Sequence, residues 1–262
     1  MILPYARDFF SQPLCAFLLV LTGFGLLEST QGTDPRPFWV AILSASLLPW
    51  ARMDMGVVLV GLFLWVFLDQ RKESKQAPPI GTQRLIFLFP LLISLVFLFL
   101  FDRYRWGRWG GAPYGDHSFN VPLVDSLPRF LVSPELSVFL YNPLLLVSFG
   151  ILAVRWKKMK PMGCGLLAMD LLYLVLIGKF RDYHGGVCPG PRYLLSLVPL
   201  NLFPLFLGLS RMKQSRRPVF GLIAVCGAIG IAINGYEALV DYTSAPPAWD
   251  YWMNILTHGI TG

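Results

Sequence analysis

Residues 163–194 read GCGLLAMDLLYLVLIGKFRDYHGGVCPGPRYL, and the change of character partway along decides how the chain folds. The first part, 163–179, is apolar except for Asp170 and a closing Lys179. It approaches the roughly 17 to 25 residues that a helix needs to cross a bilayer. The second part cannot continue such a helix. Gly185 and Gly186 admit backbone conformations closed to other residues, while Pro189 and Pro191 fix φ and lack the N–H that a helix requires. Apolar residues then resume at Tyr193. A lipid-length run, a polar breaker and a second apolar run together predict adjacent membrane-spanning helices.

The same pattern recurs along all 262 residues. Charged residues make up only 14% of the chain, against 55% hydrophobic ones, and mean hydropathy is +0.57. A soluble domain carries roughly 25% charged residues. The sequence predicts an all-α, polytopic helical bundle forming a single integral membrane domain over 1–262. Its eight spans fall near 12–27, 38–50, 55–69, 85–101, 138–154, 163–179, 193–209 and 218–235. The short second and third spans form a hairpin with Ala51-Arg52-Met53-Asp54 at its tip. Arg7 and Asp8 come early and no small-residue cleavage site follows the first run, so a removable signal is not expected. The four cysteines lie far apart, three of them inside apolar runs. They read as small buried apolar residues rather than as a metal or disulfide framework.

The net charge of +7 sits mostly in three loops: Arg71 to Arg84, Arg155 to Lys160, and Arg211 to Arg217. Short loops rich in Lys and Arg orient helices with that face toward the cytoplasm, so the charge does not point to nucleic acid. An even number of spans separates the three. The remaining polar stretches then share the outer face: Tyr5 to Gln12, the tip at Arg52 and Asp54, loop 102–137, stretch 181–192 and tail 236–262. Loop 102–137 is too long for a plain connector. Its Trp and Tyr residues, and the apolar pieces 121–124 and 130–132, predict a segment lying in the membrane interface as a cover or an anchor. Arg192 is expected in the first turn of the next helix, where free N–H groups and the helix dipole favour an anion and guanidinium supplies a planar fork for phosphate. The bland alternative is a re-entrant turn with Arg192 reaching for head groups.

Four stretches, in order, resemble a known family. They are Pro4-Tyr5-Ala6 with Phe9-Phe10-Ser11 and Pro13-Leu14; Ala51-Arg52-Met53-Asp54; Tyr104 to Asp116 with Phe139 to Leu144; and Asp182 to Gly186 with Gly190-Pro191-Arg192-Tyr193-Leu194-Leu195. They are similar to P-Y-A-x-x-F-F-S-E-P-L, to T-R-P-D, to R-F-G-S-P-x-x-x-G-Y-G-D with F-x-Y-S-P-L, and to W-x-W-H-G-G-x-x-x-G-P-R-Y-L-L-P. These belong to bacterial type-C-fold membrane glycosyltransferases, relatives of dolichyl-phosphate-mannose–protein mannosyltransferases. The match is to their C-terminal half. Gln12 stands where the family has Glu, and the upstream acidic pair that supplies the family's base has no counterpart. The resemblance thus implies a fragment, one half of a split enzyme, or a subunit that kept the scaffold without the reaction.

What it implies is sugar transfer from a polyprenyl-phosphate carrier on the outer face of a bacterial cytoplasmic membrane. Asp54, Asp116, Asp182 and His184 become the candidate catalytic residues. Arg52, Arg103, Arg105, Arg192 and Tyr193 become candidates for holding phosphate or lipid. No metal site is expected and no cofactor is specified, although Asp54 could take a divalent cation if it does not simply pair with Arg52. Expected partners are membrane lipid, the polyprenyl-phosphate carrier and a companion membrane subunit, with no nucleic acid. The competing reading is a non-catalytic membrane subunit that binds lipid or partner proteins. A transporter or channel is weaker, because apart from Asp170 the spans carry almost no internal charge. Asp170 itself, expensive in a span, is expected to be neutral and bonded to another helix.

Overall fold

A computed structural model describes residues 3–31, 34–68, 80–107, 119–133, 136–180, 192–210 and 217–239. Every regular element among them is helical. In chain order these are α1 (Leu3–Gln31), α2 (Arg36–Ala51), a 3-10 turn (Met53–Gly56), α3 (Val58–Leu68) and α4 (Ile80–Trp106), followed by α5 (Leu123–Val132), α6 (Val138–Tyr141), α7 (Leu144–Val154) and α8 (Trp156–Lys179). A second 3-10 turn (Arg192–Ser196), α9 (Val198–Asn201), α10 (Phe203–Ser210) and α11 (Arg217–Leu239) are the last of the described elements. By length and composition, the Ser11–Ser29 part of α1 and the whole of α8 are long and apolar enough to cross a membrane. The other apolar stretches, 53–68, 85–101, 144–154, 198–210 and 219–233, are shorter. Two compact units emerge: residues 1–117 with 155–176, and residues 118–154 with 177–262.

In the first unit, α2 packs on α1 and α4, and α3 packs on α4. The arms of the expected 38–69 hairpin are thus joined by the 3-10 turn and braced by their neighbours. Polar side chains bridge the apolar surfaces. The hydroxyls of Thr22 and Ser44 meet at 2.8 Å between α1 and α2. Ser94 of α4 accepts from the Trp50 indole at 2.9 Å and donates to the Ser46 carbonyl of α2. Such bonds satisfy hydroxyls that would otherwise be costly to bury between apolar helices. At the α3–α8 crossing only glycine fits. A Cβ on Gly61 would lie 2.6 Å from the Gly165 carbonyl oxygen, and one on Gly165 would lie 2.6 Å from the Trp65 Cβ.

In the second unit, α7 packs on α10 and α11. The run expected as one span over 193–209 is broken into the 3-10 turn, α9 and α10. The reason is local. Pro199 and Pro204 each remove a donor, and the Ser148 hydroxyl of α7 enters the gap. It donates to the Asn201 carbonyl at 2.6 Å and accepts the Leu205 N–H at 3.2 Å, in place of the direct bond from residue 205 to residue 201. A side chain inserted into the helical ladder is a recognised cause of a break.

Two helices run further than the apolar pattern predicts. The stretch expected as a basic loop over 155–160 forms the start of α8, because lysine is a good helix former. The start of loop 102–137 belongs to α4, which ends at Gly107 in the left-handed conformation (φ 68°), a common way for a helix to stop. Arg103 and Arg105 therefore lie on the last turn of α4, where cations are favoured by the helix dipole. Further along the same expected loop lies α5. Its Ser126 and Phe130 face inward, while Val124, Leu131 and Val132 are exposed.

Candidate functional site

The sharpest cluster of polar chemistry is at the α2–α3 junction. Ala51 ends α2, Arg52 turns the chain with extended backbone (φ −154°, ψ 129°), and Met53 begins the 3-10 turn. This conformation brings Arg52 and Asp54 onto one side of the turn. Arg52 donates through Nε to Asp54 Oδ1 at 3.0 Å and through Nη2 to Oδ2 at 2.6 Å, a two-pronged pair of the stronger kind. The phenol of Tyr173, from α8, donates to the same Oδ2 at 2.6 Å. Tyr173 is wholly buried, while the side chains of Arg52 and Asp54 retain 13% and 22% exposure.

These groups define what the cluster can do. Burial favours neutral Arg52, but the acidic groups of Tyr173 and Asp54 beside it more than offset that, and its pKa stands above the ordinary arginine value. Arg52 is thus a permanent cation within the cluster. Asp54 accepts from both neighbours. A divalent cation fits this carboxylate poorly, since it would compete with a guanidinium already 2.6 Å away. Among the described residues no three His, Cys, Asp or Glu side chains gather as metal ligands would.

In the second unit, Arg192 and Tyr193 open the 3-10 turn and both are half-buried. The Tyr193 ring meets Phe180 edge-on at 6.3 Å, and Phe180 in turn lies 5.6 Å from Phe119. The expectation that Arg192 starts an α-helix is corrected. Arg192 opens a five-residue 3-10 turn, and the next α-helix begins at Val198 and has only four residues. The helix-dipole part of the anion argument therefore loses its basis. What remains is the guanidinium.

Of the other residues singled out from the sequence, Arg103 is exposed on α4 and Arg105 lies on the same last turn. Asp116, Asp182 and His184 fall outside the described residues. Tyr173 was missed by the sequence reading. Its signal was present: a tyrosine in an apolar run carries a hydroxyl that needs a partner once buried. Cys15 is wholly buried. Asp170 is half-buried on α8.

Comparison with family models, curated proteins and solved structures finds no match for this chain.

Proposed function

We propose that the chain is a polytopic membrane protein of about eight spans, built on the scaffold of the type-C glycosyltransferases and acting on a polyprenyl-phosphate-linked sugar. It would reside in a bacterial cytoplasmic membrane, with its basic segments 70–84, 155–160 and 210–217 on the cytoplasmic side. The membrane reading is supported by two helices of crossing length and by an outer surface crowded with large apolar side chains. Phe17, Leu43, Phe97, Val225 and Ile231 are all exposed. Soluble monomers rarely expose apolar patches beyond a few hundred Å².

One observation carries the glycosyltransferase reading. The four residues that resemble the family's T-R-P-D tip form a tight turn whose Arg52 and Asp54 are joined and then held by Tyr173. In this reading Arg52 steadies the carrier phosphate, and an acceptor hydroxyl attacks the sugar C1 as the phosphate leaves. A carboxylate takes the acceptor's proton, and fixed positive charge stabilises the departing phosphate. The same geometry favours a second reading, that of a non-catalytic subunit. Asp54 is already engaged by an arginine and a phenol, which suits a lock between helices as well as a reactive group.

The test is sugar transfer from labelled polyprenyl-phosphate sugar in native membranes, comparing wild type, a deletion of this chain, and the deletion restored with Arg52→Ala or Asp54→Asn. Loss of transfer in the deletion and in both restored variants, at equal protein level, supports the enzyme. Loss in the deletion alone supports the subunit. Transfer unaffected by the deletion overturns both.

A further inference from the structure

A groove of about 550 Å³ runs along the outside of the α2–α4 contact, lined by Trp39, Leu85, Ile86, Leu88, Phe89 and Leu92. Its walls are almost entirely hydrocarbon. Water does not fill such a space well, because an ordered water needs two to four polar partners. The two helices run parallel here. Phe38 lies 6.3 Å from Phe87 near the start of each, and Trp50 lies 6.0 Å from Phe101 near the end of each. The groove therefore sits at the end where both helices begin, and both bring an arginine to that end. Arg36 is exposed, one turn before Trp39. Arg84 immediately precedes Leu85 on α4. Asp34 is also exposed there, with its carboxylate accepting the Arg36 backbone N–H at 2.9 Å.

We infer that this groove seats one acyl chain of an anionic diacyl phospholipid, whose phosphate lies at the level of Arg36 and Arg84. The inference rests on the membrane part of the proposed function and not on its chemistry. An apolar cleft with Arg36 exposed at one end, and with Arg84 next in sequence to the lining residue Leu85, matches a ligand with a hydrocarbon tail and a negative head. Trp39 lines the cleft one turn after Arg36, and an indole favours the boundary of water and hydrocarbon. Arginine recognises phosphate through its fork. Each basic residue near a membrane surface favours an anionic lipid by about five-fold.

Native mass spectrometry of the purified full chain tests this, using phosphatidylglycerol and phosphatidylcholine with identical acyl chains. Wild type should retain the anionic lipid over the zwitterionic one by about ten-fold or more. Arg36→Gln with Arg84→Gln should abolish that preference. Trp39→Ala with Phe89→Ala should lower retention of both lipids; both residues are at least half exposed, and folded yield is checked by thermal unfolding in detergent. Equal retention of the two lipids by wild type overturns the proposal, as does a preference that survives loss of both arginines. Displacement of phosphatidylglycerol by polyprenyl phosphate would assign the groove to the carrier instead and also overturns it. A chain that stays soluble without detergent and holds neither lipid sinks the membrane reading itself, an outcome distinct from the others.

Discussion

At the level of single residues, the informative group is Asp54, because its neighbours are of two kinds. Arg52 supplies charge and Tyr173 supplies a neutral donor from another helix. Removing one partner of a largely buried pair leaves an uncompensated charge, which costs about 3–5 kcal/mol when burial is complete and less at the exposures seen here. Removing the phenol leaves the ion pair intact. Tyr173→Phe should therefore destabilise the protein in detergent by about 1.5 kcal/mol, the low end for a hydrogen bond to a charged group, and Asp54→Ala should destabilise it more. The double change Arg52→Ala with Asp54→Ala should be milder than the sum of the two single changes, because the residues act as one unit. Thermal unfolding of the purified variants measures all of this; strict additivity would show that the pair contributes nothing. Arg192 invites a parallel test of phosphate recognition. If it holds the carrier phosphate, Arg192→Ala weakens polyprenyl-phosphate binding by about 1.5–3 kcal/mol, and Arg192→Lys restores only part because the fork is lost. Equal affinity in all three proteins would make Arg192 an interfacial anchor.

Among the helices, α5 shows how a segment that looks like loop acquires structure. Its sequence, LVDSLPRFLV, has a proline and two charges, so no long apolar run announces it. Three strips run along it instead. Ser126 and Phe130 are buried; Asp125 and Arg129 are exposed and charged; Val124, Leu131 and Val132 are exposed and apolar. That arrangement suits a helix lying in the membrane interface. The inner strip rests against Gly178, where an added Cβ would lie 2.8 Å from Ser126 Oγ. Gly178→Val should therefore push α5 away. A fluorophore at position 130 would move from a buried to a wet environment, while probes at 124 and 132 should be quenched by lipid-borne quenchers in wild type. Aqueous quenching at 124 and 132 would remove α5 from the interface. Helix identity was legible wherever apolar runs were long. Boundaries were not, because lysine and arginine are good helix formers and extend α8 backward and α4 forward past the hydropathy edges. The break in 193–209 was hidden for another reason. Pro199 and Pro204 were visible, but the Ser148 hydroxyl that completes the break comes from 53 residues away.

For the molecule as a whole, composition pointed to a membrane because lipid and water impose opposite demands on a surface, and the structure supplies two helices long and apolar enough to cross one. The candidate site was legible only in part. Arg52 and Asp54 stand two residues apart and could be paired on sight; Tyr173 lies 119 residues beyond Asp54, a separation no local pattern encodes. In the proposed membrane arrangement, the side that the cluster faces is set by charge bias, a whole-molecule property of basic residues near the ends of spans. The exposed Lys157, Lys158 and Lys160 stand on the first turns of α8, at the helix end opposite Tyr173. If that end is cytoplasmic, the Arg52–Asp54 turn faces outward. Single cysteines at 75, 157 and 213 should then resist a membrane-impermeant thiol reagent applied outside intact cells and react after permeabilisation. Cys188 and a cysteine at 116 should react in intact cells, whereas Cys15, wholly buried, should stay silent in both conditions. Reaction at 75, 157 or 213 in intact cells would invert the orientation, turn Arg52 and Asp54 toward the cytoplasm, and remove them from an outer-face transfer reaction.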